Sequence, residues 1–581
     1  MGIEVLSSNP RPFYNSQPDS PECVRRPFRA QPQLAGDRES DRVEADYVIV
    51  GAGSAGCVLA NRLSADPANR VILIEAGGKG TSPFVAMPAG YGKTTSEFGH
   101  SWHYSSTAES SIGGRQMLLP RGRGLGGSSN INGLIYVRGQ QADYDSWSNL
   151  GAIGWSWADV APYFRRAETY AGGGEELRGD TGPLRVEELR HRDPTNDAVL
   201  AAFAEIGVPL NPDYNGAEQT GAFYYQTTMA NGRRCSAADA YLRPVMGRAN
   251  LTVVTEAHCN RVMFEGKRAV GVELERQGAV QIVRAHREVI LAAGAYHSPK
   301  LLLLSGIGPG AHLTDLGIPV IRDCPAVGSD LQDHYILPMS WQLNPQAFSY
   351  NRELSGARLV WNVLRYFATR QGAMTIPAAQ TGAFVKSDPR LDQPDIQFHC
   401  LPVSGELDSA AADGKPQLST YPGLTLAPTV LRPESRGHVR LASPDPRAVP
   451  EIVHNYLEAR ADRELSLKAM RMTRMLAEAP SLARLIEREA YPGPAAADDE
   501  ALLDYARRTG NTGYHPVGTC RMGLDEAAVT DPQLRVRGVE GLRVIDASVM
   551  PRLISGNTNA AAIMIGDKGS DLVLADGGSP A

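Results

Sequence analysis

The seven cysteines of this 581-residue chain stand singly, at positions 23, 57, 235, 259, 324, 400 and 520, and no two form a CxxC pair. A disulfide framework and a structural zinc site both need paired or clustered cysteines, so both are excluded. A reducing, cytoplasmic setting is the default expectation. No apolar run approaches the roughly 20 residues that a membrane span needs. An excess of basic charge is missing too: a formal net charge of -6 and a pI near 6.1 leave no electrostatic footprint for nucleic acid. Metal-ligand spacing is equally scarce. His100 with His103, and His399 beside Cys400, come nearest, and neither completes a ligand set. What remains is an ordinary soluble composition in a chain long enough for more than one large core.

Residues 1–44 combine prolines, arginines and acids without an apolar stretch, and read as an extended or draped N-terminal extension rather than a secretory signal. Periodicity begins at Asp46. Asp46–Val50 is a short buried strand, followed by the turn Gly51–Gly56 (GAGSAG), a helical pattern from Cys57, and a second buried strand Val71–Ile74 that ends at Glu75. Further strands are expected at Leu251–Thr255, Val262–Leu274 with a hairpin turn at Glu265–Arg268, Glu288–Leu291 and Leu542–Ile545.

Strand, glycine turn, helix and strand make one βαβ unit, and each glycine of the turn has a task. Gly51 permits the tight turn, Gly53 lets backbone approach a pyrophosphate, and Gly56 lets the helix pack on the strand. Ser54 and Ala55 open a helix whose N-terminus offers N–H groups and a partial positive charge to phosphates. Glu75 stands where an acid accepts hydrogen bonds from ribose hydroxyls, which disfavours a 2′-phosphate and hence NADP. The turn alone does not separate FAD from NAD.

Other motifs do. They are Gly122–Gly133 (GRGLGGSSNING), Gly294–Pro299 (GAYHSP) with Ser305–Pro309 (SGIGP), Tyr514–Gly523 (YHPVGTCRMG), Asp546–Pro551 (DASVMP) and Ser555–Asn559 (SGNTN). In this order and spacing the chain resembles the glucose–methanol–choline (GMC) family of FAD-dependent oxidoreductases, nearest its choline-dehydrogenase-like branch, from about Asp46 to Leu574. The resemblance implies an α/β fold (α+β overall), in which a Rossmann-type FAD-binding domain is interleaved with a sheet-plus-helices substrate domain. The expected division is 45–154, 226–334 and 505–577 for the cofactor, and 155–225 and 335–504 for the substrate. It also implies that Arg123, Gly127 and the run Asn130, Ile131, Asn132 and Gly133 border the flavin. Backbone at Val262 is expected near the adenine, Gly294 leaves room for the cofactor, and Asp546 with Ala547 meets the ribityl chain. Tyr514, Asn557, Thr558 and Asn559 lie on the flavin side, and the helix beginning there can stabilise the reduced ring.

By the same resemblance His515 is the active-site base and Asn557 its partner. Alcohol oxidation removes a hydroxyl proton and sends a hydride to flavin N5. An imidazole titrating near neutrality suits the first task, and an amide that holds the substrate oxygen suits a developing alkoxide. The expected partners are a small alcohol or aldehyde hydrate and an electron acceptor, quinone-like, dye-like or oxygen, in a monomer or small homo-oligomer. Some relatives attach FAD through a histidine in the glycine-rich loop. Ile131 occupies that place here, so the FAD is expected to be non-covalent. Choline-oxidising relatives meet the ammonium with a carboxylate, whose place Gln380 takes by this resemblance, pointing to an uncharged substrate. Phe384, His399, Leu401 and Tyr514 are further pocket candidates. Gly513, two residues before His515, favours a dehydrogenase over a peroxide-forming alcohol oxidase. A flavin-containing lyase of the same fold is the other alternative. His334, in Leu331–His334, is read as a structural turn without chemistry.

Overall fold

The computed structural model describes residues 43–97, 99–172, 177–406 and 417–577. The expectation of an N-terminal extension falls almost wholly outside them.

Two sheets organise the described chain. The first has seven strands, in the spatial order Leu251–Val254, Val71–Ile74, Val43–Val50, Ala279–Leu291, Arg268–Arg276 and Ala257–Glu265, with Leu542–Val544 added on Ala279–Leu291. Val43–Val50 runs parallel to both Val71–Ile74 and Ala279–Leu291, as βαβ connections require, whereas residues 257–291 form an antiparallel meander. The expected turn at Glu265–Arg268 joins the first two strands of that meander. Val71–Ile74 is buried along its whole length, which is why it reads as an unbroken apolar run. Over the sheet lie the helices Ser54–Leu63 and Asn559–Gly577. They approach so closely that a Cβ on Gly566 would stand 2.9 Å from Cα of Ala55.

The second sheet has eight strands. Its main path is Ile486–Tyr491, Met339–Leu343, Gly423–Val430, Ile396–Leu401, Thr381–Val385 and Gly221–Tyr224, all antiparallel. Tyr335–Ile336 pairs with Gly423–Val430 and with Asn511–Thr512. Its apolar face packs with the helices Pro194–Glu205, Arg460–Glu478 and Asp499–Thr509 into a separate core. Six cysteines, at 57, 235, 259, 324, 400 and 520, are buried and free. Among the described residues, no helix is long and apolar enough to cross a membrane.

Candidate active site

The glycine turn forms as the residue types demand. Gly51 has φ +101°, and a Cβ on Gly56 would stand 1.9 Å from the Gly51 carbonyl oxygen, so only glycine lets the helix start this close to the strand. The glycine-rich loop folds onto the turn: Gly126 N–H donates to Ala52 O (2.7 Å), and a Cβ on Gly127 would come within 2.6 Å of Gly53 Cα. Glu75 ties the two together. Its Oε2 accepts from Ala52 N–H (2.9 Å), and its Oε1 from Gly77 N–H (2.8 Å) and Gly124 N–H (3.0 Å). A carboxylate offers about four lone-pair sites. Three are spent on the protein, so Glu75 builds the cradle first, with one site left for a ribose.

Asp546 is used in the same way. It accepts from Gly294 N–H (2.8 Å), Ser298 Oγ (2.5 Å) and Ser548 N–H (2.8 Å), joining two of the sequence motifs. Gly294 opens the helix Gly294–Leu304 just after the strand ends at Leu291. Ala547 is half-buried next to Asp546, and Val262 is buried, its N–H donating to Ser305 Oγ (2.8 Å). In the glycine-rich loop, Asn130 Nδ2 donates to Leu125 O (2.6 Å), and Arg234 Nη1 donates to Asn132 Oδ1 (2.5 Å). Ile131 is buried, and Gly133 lies hard against Ala378. Arg123 Nε and Asn130 Oδ1 are buried without a hydrogen-bond partner. Unpaired buried polar atoms are costly, and two in one glycine cradle mark a surface shaped for a polar ligand. The donor set fits an adenine dinucleotide.

A second cluster centres on His515. Register brings it together, because pairing of Tyr335 with Thr512 sets His334 beside Gly513, whose N–H donates to His334 O (2.6 Å). A Cβ on Gly513 would stand 2.6 Å from Cβ of His334, so the close approach of the two segments depends on that glycine. Asp333 then holds the loop: it accepts from His515 N–H (2.6 Å), Thr512 Oγ1 (2.5 Å) and the Tyr456 hydroxyl (2.5 Å). Arg121 donates through both terminal nitrogens to Tyr514 O (3.0 Å each), where Tyr514 adopts φ +62° with its side chain 42% exposed.

The side chains form one directed series. Gln397 Nε2 donates to Asn557 Oδ1 (3.3 Å), which leaves Asn557 Nδ2 to donate to His515 Nε2 (3.0 Å). His515 Nδ1 faces His334 Nδ1 (2.9 Å), and His334 Nε2 donates to Leu431 O (2.9 Å). Ser54 Oγ donates to Asn559 Oδ1 (2.7 Å), anchoring the segment with Asn557 and half-buried Thr558 to the glycine turn. Burial, then His334, His399 and Arg121, pushes the His515 imidazole well below its ordinary 6.5. His334 is lowered chiefly by burial. His399 is pushed down to about 4 by burial and by His334, against a hydrogen bond to Asn557 that raises it. Gln397 Oε1 and His399 Nδ1 are buried without a partner.

Two of the substrate candidates lie elsewhere. Gln380 is fully buried; its amide accepts from Asn196 Nδ2 (3.0 Å) and donates to the Tyr350 hydroxyl (2.7 Å). Phe384 is fully buried among Phe223 and Tyr214, with ring centroids 5.4 and 6.0 Å away. Both are core: Gln380 immediately precedes the strand Thr381–Val385, every residue of which is buried, so alternation gave no sign of it. Sequence reasoning missed Gln397, Asp333 and the chemical placing of His334. The one available signal was the polar Gln397 and His399 at period two in an otherwise apolar strand.

Comparison with known proteins gives the family of the chain. The models described as GMC oxidoreductase match residues 45–336 and 433–566, and the chain belongs to that family, an FAD-dependent oxidoreductase. A Pseudomonas putida alcohol dehydrogenase [acceptor] is 40% identical over 538 residues, covering 91% of this chain and 95% of the relative. An oxygen-dependent choline dehydrogenase of Rhizobium johnstonii is 41% identical, covering 92% and 96%. Among solved structures, pyridoxine 4-oxidase from Mesorbium loti superposes with TM-score 0.82 at 31% identity, covering 91% and 98%. A formate oxidase from Aspergillus oryzae reaches TM-score 0.85 at 27% identity, covering 92% and 99%.

Proposed function

We propose that this enzyme oxidises an uncharged alcohol, or an aldehyde hydrate, with His515 Nε2 taking the hydroxyl proton and Asn557 holding the oxygen. The observation that carries the reading is the directed hydrogen-bond series. The Leu431 carbonyl only accepts, so neutral His334 carries its proton on Nε2 and presents a lone pair at Nδ1. His515 must then bear its proton on Nδ1, which leaves Nε2 as a bare acceptor beside Asn557 Nδ2. An alcohol hydroxyl serves both groups at once by donating to Nε2 and accepting from Nδ2. As the proton moves to Nε2, the oxygen gains negative charge and the Asn557 hydrogen bond strengthens. Bound FAD supplies the hydride acceptor for the carbinol carbon. Gln397 Oε1 and His399 Nδ1 offer further polar contacts to the substrate.

Arg121 is one cause of the lowered His515 value, and Asn557, Gln397, His399 and His334 are uncharged beside it. Asp333 offsets Arg121 behind the loop, and the side chains of the hydrogen-bond series itself are neutral, which is in keeping with a neutral alcohol. We assign the cofactor to residues 45–154, 226–334 and 505–577, whose strands make the first sheet, and the substrate side to 155–225 and 335–504, which supply most of the second. We favour an acceptor other than oxygen, in keeping with Gly513 and with the name of the Pseudomonas putida relative.

Anaerobic mixing with primary, secondary, aromatic and amino alcohols tests the reaction. Uncharged alcohols are expected to bleach the flavin absorbance, and His515→Ala is expected to slow this about 100-fold or more while keeping FAD. Near-normal bleaching by that variant would overturn the assignment. Peroxide released at the rate of turnover in air would overturn the preference for another acceptor.

A further inference from the structure

The helix Gly356–Thr369 (GARLVWNVLRYFAT) is apolar on two sides. One side is accounted for. Asn362 and Tyr366 are buried, and Leu359 and Val363 pack on a cluster that includes Met87, Tyr350 and Ile376. Among the described residues the other side has no such cover: Val360, Trp361, Leu364 and Phe367 are 60%, 65%, 59% and 48% exposed. Their spacing of three and four residues stacks them into one continuous stripe along the helix. Single exposed apolar side chains are commonplace, but a continuous stripe of four large ones marks a surface that meets something apolar.

We infer that this stripe docks onto an anionic membrane surface, with the helix lying in the plane of the headgroups. Charge selects that occupant. The helix holds Arg358 and Arg365 on one flank of the stripe and no acid, inside a chain whose net charge is -6. Arg370 follows at the C-cap, its guanidinium over the rings of Tyr366 and Phe367 at 5.0 and 5.8 Å. Glu353, just before the helix, pairs with Arg358 at 2.7 Å, and Arg370 is engaged with Tyr366, which leaves Arg365, without an ion pair among the described residues, for an outside partner. A second copy of this face across a two-fold axis would set arginine against arginine, whereas lipid phosphates complement them. Tryptophan, phenylalanine and leucine on one side with arginine at the margin is the composition that lies in a membrane interface without spanning it.

The docked helix is joined to the site: beyond its end, Ala378 N–H donates to Gly133 O (3.1 Å) in the glycine-rich loop. The inference stands apart from the reaction assigned to His515, because vesicle binding is read without turnover.

Sedimentation of the full-length holoenzyme with phosphatidylcholine–phosphatidylglycerol vesicles, and with phosphatidylcholine vesicles, tests it. The wild type is expected to sediment with the anionic vesicles. The triple variant Trp361→Ser, Leu364→Ser, Phe367→Ser should bind them about 10-fold more weakly or worse while keeping FAD and turnover. Arg365→Gln should weaken binding to anionic vesicles only. Should the triple variant lose its flavin, Leu364→Ser with Arg365→Gln replaces it. Equal sedimentation of wild type and variants, or none by the wild type, would overturn the inference. So would a wild-type dimer in sedimentation velocity that the triple variant abolishes while vesicles stay bare, since the face would then join two copies.

Discussion

Nδ1 of His334 lies 2.9 Å from Nδ1 of His515, with the Leu431 carbonyl closing the far side of His334 at 2.9 Å. The second contact dictates the first: a carbonyl behind one imidazole decides which nitrogen of the next is free. His334 is therefore a positioning residue for the base. His334→Ala should lower the rate of anaerobic flavin reduction between about 10- and 100-fold, less than removing the base itself, and should retain FAD. His334→Gln, whose amide oxygen can accept from Nδ1–H, should recover part of the loss. A rate unchanged in His334→Ala would show that the tautomer of His515 does not depend on it.

The lowered value of His515 has a signed consequence for pH. Its neutral form, the one able to accept a proton, persists at pH values below 6.5. The acid limb of kcat/KM for anaerobic flavin reduction should thus have its midpoint under 6.5, with a plateau above. Stability follows the same sign. An unfolded histidine takes up a proton near 6.5, but folded His515, His334 and His399 do so only at lower pH. Their contribution is whole above 6.5 and shrinks as pH falls towards the folded values. Thermal melts at successive pH values should show the midpoint falling through that window, and less steeply in His399→Asn.

Legibility in the sequence followed burial and locality. The glycine turn and its strands were readable because a βαβ unit is local, and its buried parallel strands are uninterrupted apolar runs. Only Glu288–Leu291 of the strand Ala279–Leu291 was readable, since its first residues are exposed and polar. His515 and Asn557 came from motifs, but the series behind them joins residues 334, 397, 431, 515 and 557, contacts that register alone creates. Gln380 misled because a polar residue at the edge of an apolar strand serves equally as a pocket wall or as a satisfied core group. Only its partners Asn196 and Tyr350 decide between these.

Asn557 Nδ2 faces His515 Nε2 at 3.0 Å, so its charge matters as much as its shape. Asn557→Asp places a carboxylate there. A neighbouring anion favours imidazolium, so the His515 value should rise and the acid limb should move to higher pH. Turnover near neutrality should drop about 100-fold or more as the base becomes protonated. The pH profile separates this from a packing defect, which would lower the rate without moving the limb.

Glu75 accepts three backbone N–H groups with its two oxygens. Glu75→Gln preserves the shape, but its amide nitrogen can only donate, so at least one buried N–H would face another donor. Each such mismatch costs about 1–3 kcal/mol. The apoprotein should melt at lower temperature, and FAD, titrated by quenching of its fluorescence, should bind more weakly. Unaltered FAD affinity would mean that the cradle does not rely on this carboxylate.

Ile131 is buried in the glycine-rich loop, 4% exposed, and its side chain carries no nucleophile. Its neighbours are amides: Asn132 Oδ1 accepts from Arg234 Nη1, and Asn130 Nδ2 donates to Leu125 O. A covalent link to a flavin needs a thiol, imidazole or similar group at the ring, and Asn130 to Gly133 supply none. FAD should therefore leave on denaturation: after acid precipitation the yellow chromophore should stay in the supernatant and the pellet should be colourless. Ile131→His would introduce a nucleophile at this one position, and a yellow pellet from that variant alone would identify the side chain at 131 as what keeps the wild-type cofactor dissociable. A yellow pellet from the wild type would instead place the attachment on another residue of the loop or its surroundings.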